Sequence, residues 1–254
     1  MCELFGFTAT KEYKINAYLE EFYSHCDRHP HGWGFADLSF DEAIIEKEPV
    51  KASESAYLKE RLTVPIVVKK AFAHIRLATV GQLAYVNSHP FTMADARGRK
   101  WTLNHNGTIF SYEPLEKYRD KQSGGTDSER MLMHIVELMN DAYAKKGEDL
   151  TREERFRILD DLIVKITDGN KINMILYDGE VMYAHTNFRD TLHYMKKEDA
   201  TVISTMPLSD EGWMDMPFDC LVAFKEEETL FMGTDHGHEF FNDPKRYENL
   251  PKIM

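Results

Sequence analysis

The sequence predicts an α+β fold, in which two antiparallel sheets form one domain and helices lie on their outer sides. Three observations carry this. Strand-like segments dominate the first hundred or so residues, two amphipathic helices follow, and strands return in the C-terminal third. Asp178-Gly179 sits between two apolar runs, a strong signal for a hairpin and so for antiparallel neighbours. No internal repeat, low-complexity segment or linker interrupts the 254 residues, so 1–254 reads as a single domain.

Each element follows from its residues. Leu4, Phe5, Phe7 and Thr8 are apolar, aromatic or β-branched and predict an N-terminal strand, with Gly6 among them. Ile15, Tyr18, Leu19, Phe22 and Tyr23 recur at helical spacing up to Cys26, and Pro30 and Gly32 break that helix. Gly32 to Ala36 is a short strand whose two glycines point to a backbone or a ligand passing close by. A second short strand spans Ala43 to Glu46, and a weaker helix spans Ser53 to Leu62. Ile66 to Leu77 is a buried strand with His74 and Arg76 near its end. Thr79 to Pro90 is loop. Trp101 to His105 is a strand that Asn106-Gly107 ends in a tight turn.

Polar Lys117 to Gly125 reads as a mobile surface loop. Thr126 and Glu129 have capping-box spacing before a helix that buries Leu132, Ile135, Val136, Met139 and Ala142. Thr151 and Glu154 repeat the pattern before Phe156, Leu159, Leu162, Ile163 and Ile166, and Gly169 stops that second helix. Ile172 to Tyr177 and Glu180 to His185 flank the hairpin signal. Further strands cover Thr201 to Thr205, Cys220 to Lys225 and Thr229 to Met232.

Composition excludes several classes. Apolar residues make up 43% and charged residues 29%, as in an ordinary soluble protein. No apolar run is long enough for a membrane span, and no secretory signal opens the chain. A formal charge of −12 argues against a nucleic-acid or anionic-membrane partner. Cys2, Cys26 and Cys220 are odd in number and lack metal spacing, which fits a cytoplasmic protein with reduced thiols. His29, His31, His89, His236 and His238 have no acidic or cysteine partner to complete a ligand set. Neither a metal nor a cofactor is expected.

Position 2 is an unusual place for a cysteine. Once Met1 is removed, Cys2 carries a thiol and a free α-amine on one residue. The amine ordinarily titrates at about 7.7–8.0 and the thiol near about 8.5. The amine can then take the thiol proton, so nucleophile and base come from one residue. The alternative is a small apolar residue packed on a buried strand. Three other sites suit amide chemistry. Asn106-Gly107 can present a side-chain and a backbone N–H to a developing oxyanion, or can be an ordinary hairpin turn. Arg76 has a planar fork that suits a carboxylate, or a surface ion pair. Asp127 opens a helix whose dipole favours its charged form. It can receive an ammonium, or simply complement the dipole.

Taken together and in this order, these stretches resemble the class II glutamine amidotransferase domain of the N-terminal-nucleophile hydrolases. The matching segments are Met1-Cys2-Glu3-Leu4-Phe5-Gly6, His31-Gly32-Trp33-Gly34-Phe35 and Ala73-His74-Ile75-Arg76-Leu77-Ala78-Thr79-Val80-Gly81. Asn87-Ser88-His89-Pro90-Phe91, Asn104-His105-Asn106-Gly107 and Gly125-Thr126-Asp127-Ser128-Glu129 complete them. The chain is most similar to the stand-alone branch, which lacks a fused synthase domain. It differs from fused synthases at Leu77, where they carry Trp, and at Val80, where they often carry His.

The resemblance implies a four-layer αββα sandwich, with two antiparallel sheets flanked by helices. It implies Cys2 as nucleophile with its own amine as base, and Asn106 with the Gly107 amide as oxyanion hole. Arg76 and Asp127 would hold the carboxylate and amine of the substrate, and Thr79 would help to shape that pocket. His74 and His105 are expected to be structural. The implied reaction is hydrolysis of the side-chain amide of glutamine, or of a related γ-glutamyl amide, through a thioester. The small-molecule substrate would be joined by an ammonia-accepting synthase partner, or the enzyme would only hydrolyse. The rival expectation is a non-catalytic subunit of the same fold that senses glutamine or binds a partner.

Overall fold

A computed structural model describes residues 2–210, 212–248 and 250. Its first sheet has seven strands in the order β11-β9-β10-β1-β4-β2-β3. These are β1 (Glu3–Lys14), β2 (Trp33–Asp37), β3 (Ile44–Glu48), β4 (Val67–Ile75), β9 (His193–Lys196), β10 (Ala200–Ser204) and β11 (Met214–Asp215). The second sheet runs β13-β12-β8-β7-β6-β5. It comprises β5 (Phe91–Ala94), β6 (Lys100–His105), β7 (Met174–Tyr177), β8 (Met182–His185), β12 (Val222–Lys225) and β13 (Glu228–Met232). Every pairing is antiparallel. Helices α1 (Asn16–Ser24) and α2 (Ala56–Thr63) cover the first sheet, and α3 (Asp127–Lys146) and α4 (Arg152–Ile166) cover the second. A short helix α5 (Pro244–Tyr247) follows near the end.

Side-chain alternation builds the layers. In β1, Phe5, Phe7 and Ala9 point towards Leu19 and Phe22 of α1, while Leu4 points the other way. Between the sheets, Leu4, Ala36 and Phe72 meet Ile175, Met182 and Phe224. On the far side, Trp101, Leu103 and Leu176 pack against Met131, Ile135, Leu159 and Ile163. Each fully buried Leu, Ile, Phe or Met among them contributes roughly 1.5–3 kcal/mol. Gly6 belongs to this packing, because a Cβ there would stand 3.2 Å from Ile175 of the facing sheet. The result is the expected αββα sandwich.

Several expectations change in detail. Asn106-Gly107 is a bend and not a hairpin turn, since β6 pairs with β5 and with β7, which lies beyond both long helices. The backbone instead crosses to 171–173: Asn106 N–H donates to Asn173 O, and Thr108 bridges Lys171. The segment 117–125 is tethered. Glu129 accepts from the N–H groups of Ser123 and Gly124 at 2.7 and 2.9 Å, and Asn87 accepts from Gly125 N–H at 2.7 Å. Glu129 therefore does not close a capping box on Thr126, whereas Glu154 does close one on Thr151. Strands β5, β9 and β11 fall in segments without strong strand patterning.

The fold gathers the relevant chain ends at one rim. Glu3 pairs with Ile75, so Cys2 and Arg76 flank the same register position. Asn106 follows the last residue of β6, and Asp127 is the first residue of α3.

Candidate active site

Cys2 is part-buried, and its sulfur is fixed by the backbone of Leu77. Leu77 N–H donates to Sγ at 3.3 Å, and the thiol faces Leu77 O at 3.4 Å. Burial raises the thiol pKa above its ordinary value. The Leu77 N–H, Arg76 and Lys171 act in the opposite direction without cancelling it. A thiol held this way needs a base to become a nucleophile.

Two hollows meet at Cys2. The outer cleft, about 340 Å³, is bounded by Asn106, Gly107, Thr108, Lys171 and Tyr247, among others. An inner crevice of about 20 Å³ is bounded by Arg76, Thr126, Asp127 and Ser128. Cys2, Leu77, Thr79 and Gly107 line both. The crevice is on the scale of a single water.

Each residue singled out from the sequence lies in this arrangement. Arg76 is buried, and its guanidinium donates to the carbonyls of Val80, Gly81 and Gln82 at 3.0–3.2 Å. It is therefore no surface ion pair. Asp127 is buried and accepts from Ile109 N–H at 2.7 Å and Ser128 N–H at 3.0 Å. A carboxylate has about four acceptor positions, so capacity remains for an ammonium. Thr79 Oγ1 lies 3.3 Å from Thr108 Oγ1.

Asn106 is buried with its Nδ2 lacking a hydrogen-bond partner. An unpartnered buried donor costs roughly 1–3 kcal/mol, so its presence calls for an explanation. Gly107 is sterically compelled: a Cβ would stand 2.0 Å from Lys171 O and 2.2 Å from His105 Nε2.

Burial pushes the histidines around the site towards their neutral form. Burial holds His105 below its ordinary range, and His74 and His89 well below. His105 bridges Ser128 Oγ at 3.0 Å and Lys171 O at 3.3 Å. His31 Nδ1 accepts from Ala78 N–H at 2.9 Å and so holds the chain after Arg76. With these rings neutral, Arg76 and Lys171 are the side-chain cations among the described residues that act on Cys2. Among the described residues no cluster of His, Cys, Asp or Glu is arranged to hold a metal ion, and no helix is long and apolar enough to cross a membrane.

Lys171, Thr108, Asn242, Pro244 and Tyr247 line the cleft but were not evident from the sequence. Lys171 precedes a predicted strand and looks like any strand-edge lysine. Thr108 follows the Asn106-Gly107 signal without one of its own, and Asn242, Pro244 and Tyr247 lie in a segment without a recognisable pattern.

Comparison with known proteins agrees with this geometry. A family model described as "Glutamine amidotransferases class-II" matches residues 1–199. An uncharacterised protein of Methanocaldococcus jannaschii is 29% identical, across 91% of this chain and 71% of its own. A candidate glutamine amidotransferase of Escherichia coli K12 is 27% identical, across 81% of this chain and 80% of its own. Among solved structures, a predicted glutamine amidotransferase from Pseudomonas aeruginosa superposes with a TM-score of 0.64 at 20% identity, covering 91% of this chain and all of that one. The glutamine phosphoribosylpyrophosphate amidotransferase of Bacillus subtilis also gives 0.64, at 16% identity, covering 90% of this chain and 48% of that one. The chain belongs to the class II glutamine amidotransferases.

Proposed function

We propose that this protein hydrolyses the side-chain amide of glutamine, or of a related γ-glutamyl amide, through a thioester at Cys2. One observation carries the reading. Cys2 borders both the cleft that holds Asn106 and Gly107 and the crevice that holds Arg76 and Asp127. Residues suited to act as nucleophile, oxyanion donors and opposite charges thus line two hollows that share Cys2.

In this reading Met1 is removed and the α-amine of Cys2 takes the thiol proton. The sulfur attacks the amide carbon, and the π electrons move to oxygen. Asn106 Nδ2 and the Gly107 N–H receive that oxyanion, which accounts for the unpartnered donor. The tetrahedral centre collapses, the C–N bond breaks, and the leaving nitrogen takes the proton held by the α-amine. Water then attacks the thioester by the same route, releasing glutamate and the thiol.

Arg76 and Asp127 receive the carboxylate and ammonium of the substrate. The inner crevice must widen for this. The Arg76 bonds to the 80–82 carbonyls are the contacts that opening would exchange. Both charged ends are then paired, so an analogue lacking either leaves a buried partner unsatisfied.

The test is intact-mass spectrometry with a glutamine-like electrophile, run beside a glutamate-release assay. The expected result is a mature chain starting at Cys2, one adduct on that residue, and no adduct or turnover in Cys2→Ala. Parental turnover in Cys2→Ala would overturn the reading.

A further inference from the structure

Lys171 stands in the site with no role in the steps above. It precedes β7 and is almost wholly buried, at 2% exposure. Its backbone grips the Asn106-Gly107 bend: Thr108 N–H donates to Lys171 O at 3.0 Å, and Lys171 N–H donates to Thr108 O at 3.2 Å. The same Lys171 O, with His105 Nε2, excludes a side chain at position 107. Its side chain returns to the bend, with Nζ 3.5 Å from Asn106 Oδ1 and 4.8 Å above the Phe188 ring. One residue thus holds the bend by backbone and by charge.

A primary amide presents an acceptor at one end and donors at the other. A turn of half a revolution about its last bond exchanges them at little steric cost. Beside an ammonium the two states differ sharply. One sets a carbonyl oxygen against the cation, and the other sets an NH2 group against it.

We infer that Lys171 is a positioning residue, whose ammonium selects the amide orientation in which Asn106 Nδ2, not Oδ1, faces the reacting carbonyl. The inference rests on the proposed role of Cys2 and Asn106. It adds a cause for the direction in which Asn106 points. Without the cation, the flipped amide would set an oxygen lone pair against the developing oxyanion.

The proton on Lys171 then matters. Burial lowers its pKa to about 8, although Cys2 raises it. Among the described residues, Cys2 just before β1 and His105 at the end of β6 interact with its charge, and Tyr247 of α5 lines the same cleft; the freed α-amine of Cys2 joins them in the mature chain. Arg76 and Asp127 line the crevice beyond Cys2. The productive state has Lys171 protonated, so the orienting effect is present below about pH 8 and lost as pH rises through it.

The experiment compares parent, Lys171→Met, Lys171→Arg, Asn106→Ala and the Asn106→Ala/Lys171→Met double variant. For each, kcat and KM for glutamine or a γ-glutamyl anilide are measured from pH 6 to 10. Adduct formation at Cys2 and a thermal melt are recorded alongside. Lys171→Met is expected to lower kcat about 10- to 100-fold, less than the ~10²–10³ for deleting an oxyanion donor outright, with KM changed by no more than about threefold. Lys171→Arg recovers most of kcat and loses the alkaline decline near pH 8, because a guanidinium stays charged. In the Asn106→Ala background Lys171→Met adds almost nothing, the mark of one residue acting through the other.

Parental kcat in Lys171→Met, additive losses in the double variant, or an unmoved alkaline limb in Lys171→Arg would each overturn the assignment. If Lys171→Met fails to fold, the Lys171→Arg profile alone decides it. A parent that neither turns over nor labels at Cys2 sinks the underlying reading instead, and the labelling arm tells the two failures apart.

Discussion

Asn106 illustrates how much one side chain is asked to do. Its backbone N–H donates to Asn173 O, its Oδ1 faces Lys171, and its Nδ2 is left without a partner in a buried place. In the proposed reaction that donor meets charge that appears only in the tetrahedral state. Asn106→Ala is therefore expected to lower kcat by about 10²–10³ while leaving KM within about threefold, as steady-state assays would report. A comparable rise in KM with kcat unchanged would make Asn106 a ground-state contact instead. Residue types made this part of the site legible in the sequence: Cys2, Arg76, Asn106-Gly107 and Asp127 each have chemistry suited to an amino-acid amide. Lys171 was not legible. Its role depends on the chain crossing from residue 108 to residue 171, and no local pattern encodes that crossing.

Elements rather than residues set the approach of strands to loops. The pair Gly32 and Gly34 was read as a sign of close passage, and at Gly34 the neighbour is the backbone of His89. A Cβ at Gly34 would stand 1.9 Å from His89 O, which backbone cannot easily yield. Gly34→Ala should therefore push β2 from the 88–90 segment and destabilise the fold by about 1–3 kcal/mol, seen as a lower urea midpoint at unchanged slope. A midpoint within error of the parent would mean that the segment moves freely. The long elements were legible because their patterns are strong: α3 and α4 each bury a regular face, and β1 and β4 carry apolar runs buried on both faces. The short ones were not. Strands β5, β9 and β11 owe their form to neighbours on the sheet, since β11 pairs only at Met214 and Asp215. The tight turn expected at Asn106-Gly107 is a bend, and the hairpin alternative fails because that dipeptide signals a turn without saying which strand comes next.

At the scale of the whole molecule, the sandwich leaves Cys2 between a crevice sized for a water and a cleft many times larger. The outer wall of the cleft includes Asn242, Pro244 and Tyr247, beyond the 1–199 segment that matches the family model. That wall is a packed structure: Phe110 stacks on Phe240 with centroids 6.0 Å apart, and Tyr247 meets Phe110 edge-on at 5.2 Å. If the inner crevice receives the amino-acid ends, the leaving nitrogen points into the cleft. Ammonia occupies about as much room as a water, near 30 Å³ in the liquid, and would touch little of this wall. An amine bearing a ring would touch it. Tyr247→Ala should then lower kcat/KM for a γ-glutamyl amide with a ring-bearing amine by roughly 5- to 30-fold, the worth of about 1–2 kcal/mol of apolar contact. Glutamine should lose less, and parallel assays of glutamate release on the two substrates measure the difference. Equal losses on both would mean that the wall supports the fold of the cleft and does not read the leaving group. A larger loss on the substituted amide would favour hydrolysis of such amides over delivery of ammonia to a partner.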